Sequence, residues 1–234
     1  MRILFLGLFF VLYGSVFSQK IYYFDYVLEY DLHVKKSDPV QKEYYYINSK
    51  DNSYKMRVVE KDSFNFTINF LDYVGNDAVG YFAKAEFLKS ESISIPCKFV
   101  QIYGTNKLQT KNYDFSSLND TLIYGVSYYH YVLKSSSIQR EKRKKFSRAH
   151  YIIDKESAFH LPVFFEDTAY EEWKVEKSIP NGFVFMEFGA STVNQELFLI
   201  RRLVKKESIN KQLVVPDECD YEKFRKRIIS LRKE

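Results

Sequence analysis

Between Tyr22 and Val34 the chain alternates. Tyr22, Phe24, Tyr26, Leu28, Tyr30, Leu32 and Val34 are apolar or aromatic, and Asp25, Glu29, Asp31, His33 and Lys35 stand between and after them. Successive side chains of a strand point to opposite faces, so a period of two over this length specifies a strand with one sheltered face. A helix would scatter the same residues around its axis. The pattern returns at Phe64, Phe66, Ile68 and Phe70, with Asn65, Thr67 and Asn69 between. Further strands are expected at Glu43–Asn48, Tyr54–Glu60, Val79–Phe87, Lys98–Tyr103, Leu122–Leu133, Arg148–Asp154, Glu171–Lys177, Phe183–Phe188 and Glu196–Val204. Short polar turns separate them, at Asn48–Asn52, Gly75–Asp77, Gly104–Asn106 and Pro180–Gly182. Asn181-Gly182 carries the strongest hairpin signal. Such a series predicts a mainly β fold: one antiparallel curved sheet or half-barrel meander, not βαβ units.

Both ends of the chain break this pattern. Arg2, the apolar run Ile3 to Tyr13, Gly14, and small residues at Val16 and Ser18 read as a signal peptide over residues 1–18. The apolar run is shorter than the roughly 20 residues that span a bilayer, so no transmembrane anchor is expected after cleavage. The expected destination is the periplasm or the exterior. Gln19, not cysteine, follows the cut, which speaks against a lipoprotein anchor. After Pro216, Tyr221, Phe224, Ile228 and Leu231 share one arc at helical spacing and lysines and arginines fill the other side, so an amphipathic helix is expected over about 217–233. Residues 19–234 hold no Gly/Ser/Pro-rich linker and read as one domain.

The mature balance is mild. Losing Arg2 leaves 34 cations against 30 carboxylates, or +4. With that charge, an export signal and no recognition motif, nucleic acid is not an expected partner. Cys97 and Cys219 are the two cysteines, and in an oxidising compartment they either bridge or stay as separate buried thiols.

Aromatic residues are abundant: 20 Tyr, 21 Phe and one Trp. They either fill a core or line a concave face that receives an apolar ligand such as a lipid chain, for which Tyr26, Leu28, Tyr30, Phe66, Ile68 and Phe70 are the candidates. A hairpin centred on Arg140 would set His130 opposite His150, a pair able to bind metal with Asp154 or Glu156 as third ligand, although no clustered ligand spacing accompanies it. Arg140, Lys142, Arg143, Lys144, Lys145 and Arg148 put six cations in nine residues, either a solvated hairpin tip or a contact for an anionic envelope surface. Asn65-Phe66-Thr67 and Asn119-Asp120-Thr121 match the N-glycosylation pattern. No G-x-S-x-G, P-loop, G-x-G-x-x-G or zinc cluster is present, and the acid pairs Glu166-Asp167 and Glu171-Glu172 are adjacent residues. The chain therefore offers no nucleophile, base or cofactor site to name.

Val16-Phe17-Ser18-Gln19, the aromatic strand after it, Tyr45-Tyr46-Ile47-Asn48-Ser49, and Tyr151-Ile152-Ile153-Asp154-Lys155-Glu156 followed by Leu161-Pro162 resemble exported proteins of Gram-negative bacteria. These are the GLPGLI family, without its Gly-Leu-Pro-Gly-Leu-Ile hexapeptide here, and the half-barrel lipoprotein-carrier type. The resemblance covers about residues 19–190 and implies an antiparallel sheet curved around a helix and an envelope location. It carries over no catalytic residue. The leading expectation is a non-enzymatic envelope protein that binds something apolar or anionic. A secreted hydrolase with an unrecognised site and an accessory subunit of an envelope assembly are the alternatives.

Overall fold

A computed structural model describes residues 19–34, 38–73, 75–102, 112–194 and 196–221. The strands are β1 Lys20–His33, β2 Gln41–Ile47, β3 Tyr54–Glu60, β4 Asn65–Asp72, β5 Asn76–Ala83, β6 Ser92–Ser94, β7 Val100–Ile102, β8 Tyr113–Ser117, β9 Thr121–Ile123, β10 Val126–Ser135, β11 Ser147–Asp154, β12 Val184–Ser191 and β13 Leu197–Val215. Among the described residues three short helices accompany them: α1 Lys84–Lys89, α2 Ile138–Lys144 and α3 Asp167–Glu176. The sheet runs β7-β5-β4-β3-β2-β1-β13-β12-β11-β10-β8, with β9 on β10 and β6 on β13. Among the described residues every pairing is antiparallel except β6 with β13. The mainly β, single-sheet expectation holds.

The sheet curls. On a flat sheet β4 and β11, six steps apart in the order, would lie about 29 Å from each other. Yet Leu71 of β4, Tyr151 and Ile153 of β11, and Tyr170 and Trp173 of α3 share one core, and Tyr73, just past β4, stacks on Tyr170 at 3.7 Å. Only a concave face brings both strands to one helix. Residues 158–183, including α3, lie in that hollow, with Val163 and Phe183 against Leu28, Tyr30, Tyr45 and Ile47. The convex side of β2 to β7 has its own cover: Phe87 of α1, Ile93 and Ile95 pack on Met56, Val58, Phe66, Ile68 and Phe70.

Several sequence expectations change in detail. Glu171–Lys177 is not a strand but most of α3, because Ala169, Tyr170 and Trp173 bury one helical side. Asn181-Gly182 is therefore no hairpin. Gly182, at φ +145°, brings the chain so close to the end of β11 that a Cβ there would meet the Asp154 carbonyl at 2.6 Å. Strand β5 stops at Ala83, and Lys84 to Phe87 belong to α1. Leu122–Leu133 is two strands, since Tyr124 and Gly125 both take positive φ and make a two-residue hairpin turn. Tyr22 and Phe24 join the convex-side core while Leu28 and Tyr30 join the concave one. A register shift against β13 falls between Phe24 and Tyr26. Val34 is exposed beyond the strand. Of the expected C-terminal helix, Asp217–Cys219 is a 3-10 turn, and the remainder from residue 222 lies outside the described residues, as does the expected signal peptide.

Cys97 and Cys219 form a disulfide with Cα atoms 5.4 Å apart, closing a span of 122 residues. It ties the segment before β7 to the segment after β13. A cross-link over so long a loop typically stabilises by about 2–5 kcal/mol. Cys97→Ser with Cys219→Ser is expected to lower the urea midpoint accordingly, and addition of reductant should then have no further effect on the variant. Equal midpoints for wild type and double variant would show the bridge contributes nothing.

Candidate ligand-binding cleft

Cross-strand partners share a face, so the concave surface can be followed strand by strand. Lys55 and Arg57 of β3, Glu43 of β2, Arg201 of β13, Glu187 of β12 and Tyr151 of β11 all belong to it. All but Tyr151 carry charge on a sheltered face, and Arg201 joins the two carboxylates. Its Nε donates to Glu43 at 2.7 Å and its Nη1 to Glu187. Arg57 Nε donates to the other Glu43 oxygen at 2.7 Å, and the Arg201 guanidinium lies 4.2 Å from the Phe165 ring centre.

The two carboxylates titrate in opposite directions. Burial pushes Glu43 up, but Arg201 and Arg57 together outweigh it and hold the group below its ordinary value. Glu187 has one guanidinium and faces the charge of Glu166, so burial wins and raises it to about 7. Burial also brings Lys55 down to about 8, where its ammonium donates to the Tyr73 hydroxyl at 2.8 Å and the Phe164 carbonyl at 2.5 Å.

Glu187 is also where this network meets a cleft of about 270 Å³ between α3 and strands β8 to β13. Leu133, Ala149, Gly189, Phe198 and Leu199 supply apolar lining, and Ser147, Arg148, Glu166, Thr168 and Glu187 supply polar groups. Ala149, Gly189 and Leu199 form one cross-strand row, and the small size of the first two leaves the space. A Cβ on Gly189 would sit 2.4 Å from the Phe198 ring.

None of the six aromatic-face candidates lines this cleft. Tyr26, Leu28 and Tyr30 pack in the concave core. Phe66, Ile68 and Phe70 pack in the convex one, so these two sets of three do not share a face.

The histidines do meet, but two residues out of the expected register. His130 pairs with Ile152 and His150 with Val132, because the loop holding α2 is not symmetric about Arg140. The rings are diagonal neighbours, with His130 Nε2 3.0 Å from His150 Nδ1. Thr121 Oγ1 lies 3.1 Å from His130 Nδ1, and Phe188 stacks on His150 at 4.6 Å. Asp154 sits four residues further along β11, about 13 Å away, with Lys206 at 3.6 Å. Among the described residues no group of three His, Cys, Asp or Glu could hold a metal. Neighbouring positions alternate faces, so these rings lie on the opposite side of the sheet from the cleft.

The basic run forms a short helix at the tip of the β10–β11 hairpin: Ser137 caps α2 through the Arg140 N–H, and Lys145 ends it at φ +53°. Arg148 is engaged by buried Glu141 through two hydrogen bonds of 2.7 and 2.8 Å. Arg140 is half-buried, and Lys142, Arg143, Lys144 and Lys145 are exposed.

Breaking a buried ion pair on one side strands the other charge. Arg201→Met is therefore expected to cost about 3–5 kcal/mol in urea unfolding at pH 7. Glu60→Gln, where exposed Glu60 pairs with half-buried Lys84, should cost less than about 1 kcal/mol. Comparable losses would mean the network contributes no more than a surface pair.

The titrations generate a second expectation. Burial, with the charges of His130 and Arg148, lowers His150 to about 4 from its ordinary 6.5. The unfolded ring takes up a proton first, so stability from the neutral ring is intact above about pH 6.5 and lost as pH falls toward 4. Glu187, raised above its ordinary 4.5, contributes in the reverse sense, losing stability as pH rises toward 7. Relative to wild type, His150→Gln should raise the ratio of the pH 5 to the pH 7 urea midpoint and Glu187→Gln should lower it. Unchanged ratios would contradict both assignments.

No family model matches the chain, and no curated protein matches it. Among solved structures it is similar to the Pseudomonas aeruginosa MucA/MucB complex, at 6% identity and a TM-score of 0.41, covering 79% of this chain and 51% of that one. It thus spans about half the length of that neighbour. A LolA superfamily protein from Nitrosomonas europaea follows at 9% identity and 0.31, covering 90% and 93%. A DUF1329 family protein from Desulfovibrio piger is matched at 10% and 0.29, covering 85% and 89%.

Proposed function

We propose that the protein is an exported envelope protein that binds, without catalysis, the apolar end of a lipid or lipid-modified ligand in the cleft beside α3. The cleft carries the reading. Its floor is a row of small side chains, its walls are Leu133, Phe198 and Leu199, and its polar groups gather around Glu187 and Glu166. Small-molecule sites are typically apolar hollows with a few placed polar groups, in volumes of about 300–1,000 Å³. At about 270 Å³ this cleft admits a chain end, and the headgroup stays outside. Residues 158–183 fill the rest of the hollow, so the broad aromatic face serves as core. The Cys97–Cys219 bridge supports export, since such bonds persist in oxidising compartments.

Delipidated protein titrated with a fluorescent fatty acid should show saturable binding. Ala149→Phe, which fills the floor of the cleft, should weaken that binding about tenfold or more with little change in thermal midpoint. A wild-type protein that binds no fatty acid, phospholipid or lipopolysaccharide after delipidation would refute the proposal.

A further inference from the structure

We propose that the end of the sheet formed by α2 and the β12–β13 turn docks the protein on an anionic lipid bilayer. Two features meet there. Lys142, Arg143, Lys144 and Lys145 are all exposed, and the buried Glu141 carboxylate is already engaged by Arg148. Ile138, in the first turn of α2, and Val193, in the β12–β13 turn, are each 67% exposed.

The structure places these residues at one edge. Ser147 pairs with Ser191, and the Thr192 hydroxyl donates to the Phe146 carbonyl at 2.7 Å, which holds the turn against the junction of α2 and β11. The carboxylate of this turn is Glu196, bonded by the Asn194 amide at 2.9 Å. Four adjacent exposed cations outnumber the acids at this edge, Glu196 in the turn and the exposed Glu166 at the cleft rim, and leave it positive.

The pairing of charge with bare aliphatic side chains selects the partner. A soluble polyanion would be served by the cations alone. A bilayer surface presents anionic headgroups above an apolar layer, and surface-lying elements combine basic residues with inserted apolar ones for that reason. The cleft lies at the same edge, since Ser147, Arg148, Gly189 and Phe198 line it, so docking would bring it to the source of an acyl chain. The docking itself does not depend on what the cleft holds.

The test is co-sedimentation of the purified protein with sucrose-loaded vesicles in 0.1 M NaCl. Vesicles of equal phosphatidylglycerol and phosphatidylethanolamine should capture it, and pure phosphatidylcholine vesicles should not. Replacing Lys142, Arg143, Lys144 and Lys145 by alanine should weaken capture by roughly a hundredfold or more, about fivefold per cation. Ile138→Ser with Val193→Ser should weaken it severalfold while leaving retention on heparin unchanged. Lys42→Ala with Lys205→Ala, distant exposed cations, should have no effect, and neither should Ala149→Phe. Equal capture by both vesicle types, full capture of the tetra-alanine variant, or a serine variant that sediments like wild type would each overturn the proposal. Loss of fatty-acid binding by Ala149→Phe with vesicle capture intact separates this surface from the cleft.

Discussion

A guanidinium in the hollow of a curved sheet requires counter-charge within reach, and Arg201 finds it on both sides. Glu43 comes from β2 and Glu187 from β12, two strands separated in the sheet by β1 and β13. With Arg57 of β3 on Glu43, the network reaches across five strands at the depth where residues 158–183 exclude water. Apolar side chains would fill such a space with less penalty. Charge there fixes which strands lie where, because each carboxylate has one partner geometry and a register slip of one residue would turn it to the other face. Phe165, lying on the guanidinium, belongs to the covering segment, so the same residue joins sheet and cover.

That arrangement also defines what the cleft can be. Glu187 is shared between the network and the cleft lining, so a ligand in the cleft meets a carboxyl that burial has raised toward neutrality. Such a group can present a proton or accept one at ordinary pH. The surrounding surface is aliphatic and aromatic, and its size is set by Ala149 and Gly189. Specificity would come from shape at the floor and from hydrogen bonding at Glu187, with the exposed Glu166 at the rim.

Strands with one clean sheltered face were readable in the sequence. β1, β3 and β4 follow from alternation alone, β2 from its tyrosines, and β11 from the apolar run Tyr151, Ile152 and Ile153. What alternation could not show is that both faces of β2 to β4 are covered. Lys55, Arg57 and Glu43 look like residues of a wet face, and the hollow that receives them is built from a segment more than 100 positions away. Glu187 and Arg201 were missed for the same reason. The second half of β13 was invisible because residues 204–208 are exposed and carry no period of two; β1 beside it makes it a strand. Within α3, the spacing of Ala169, Tyr170 and Trp173 was the available helical signal, obscured by aromatic and β-branched neighbours. The histidine contact was legible only as a neighbourhood, since a helix in the connecting loop moved the register.

The pairing of the first described strand with the last has a consequence for assembly. Lys20 lies opposite Val215, and β1 is the seam through which both arms of the sheet join. A chain delivered amino terminus first would present one naked margin of β1 until nearly every later residue had arrived. Contacts so remote along the chain slow the search for the native state. Completion therefore waits on the carboxyl-terminal third, and a truncation there would undo the oldest strand along with the newest.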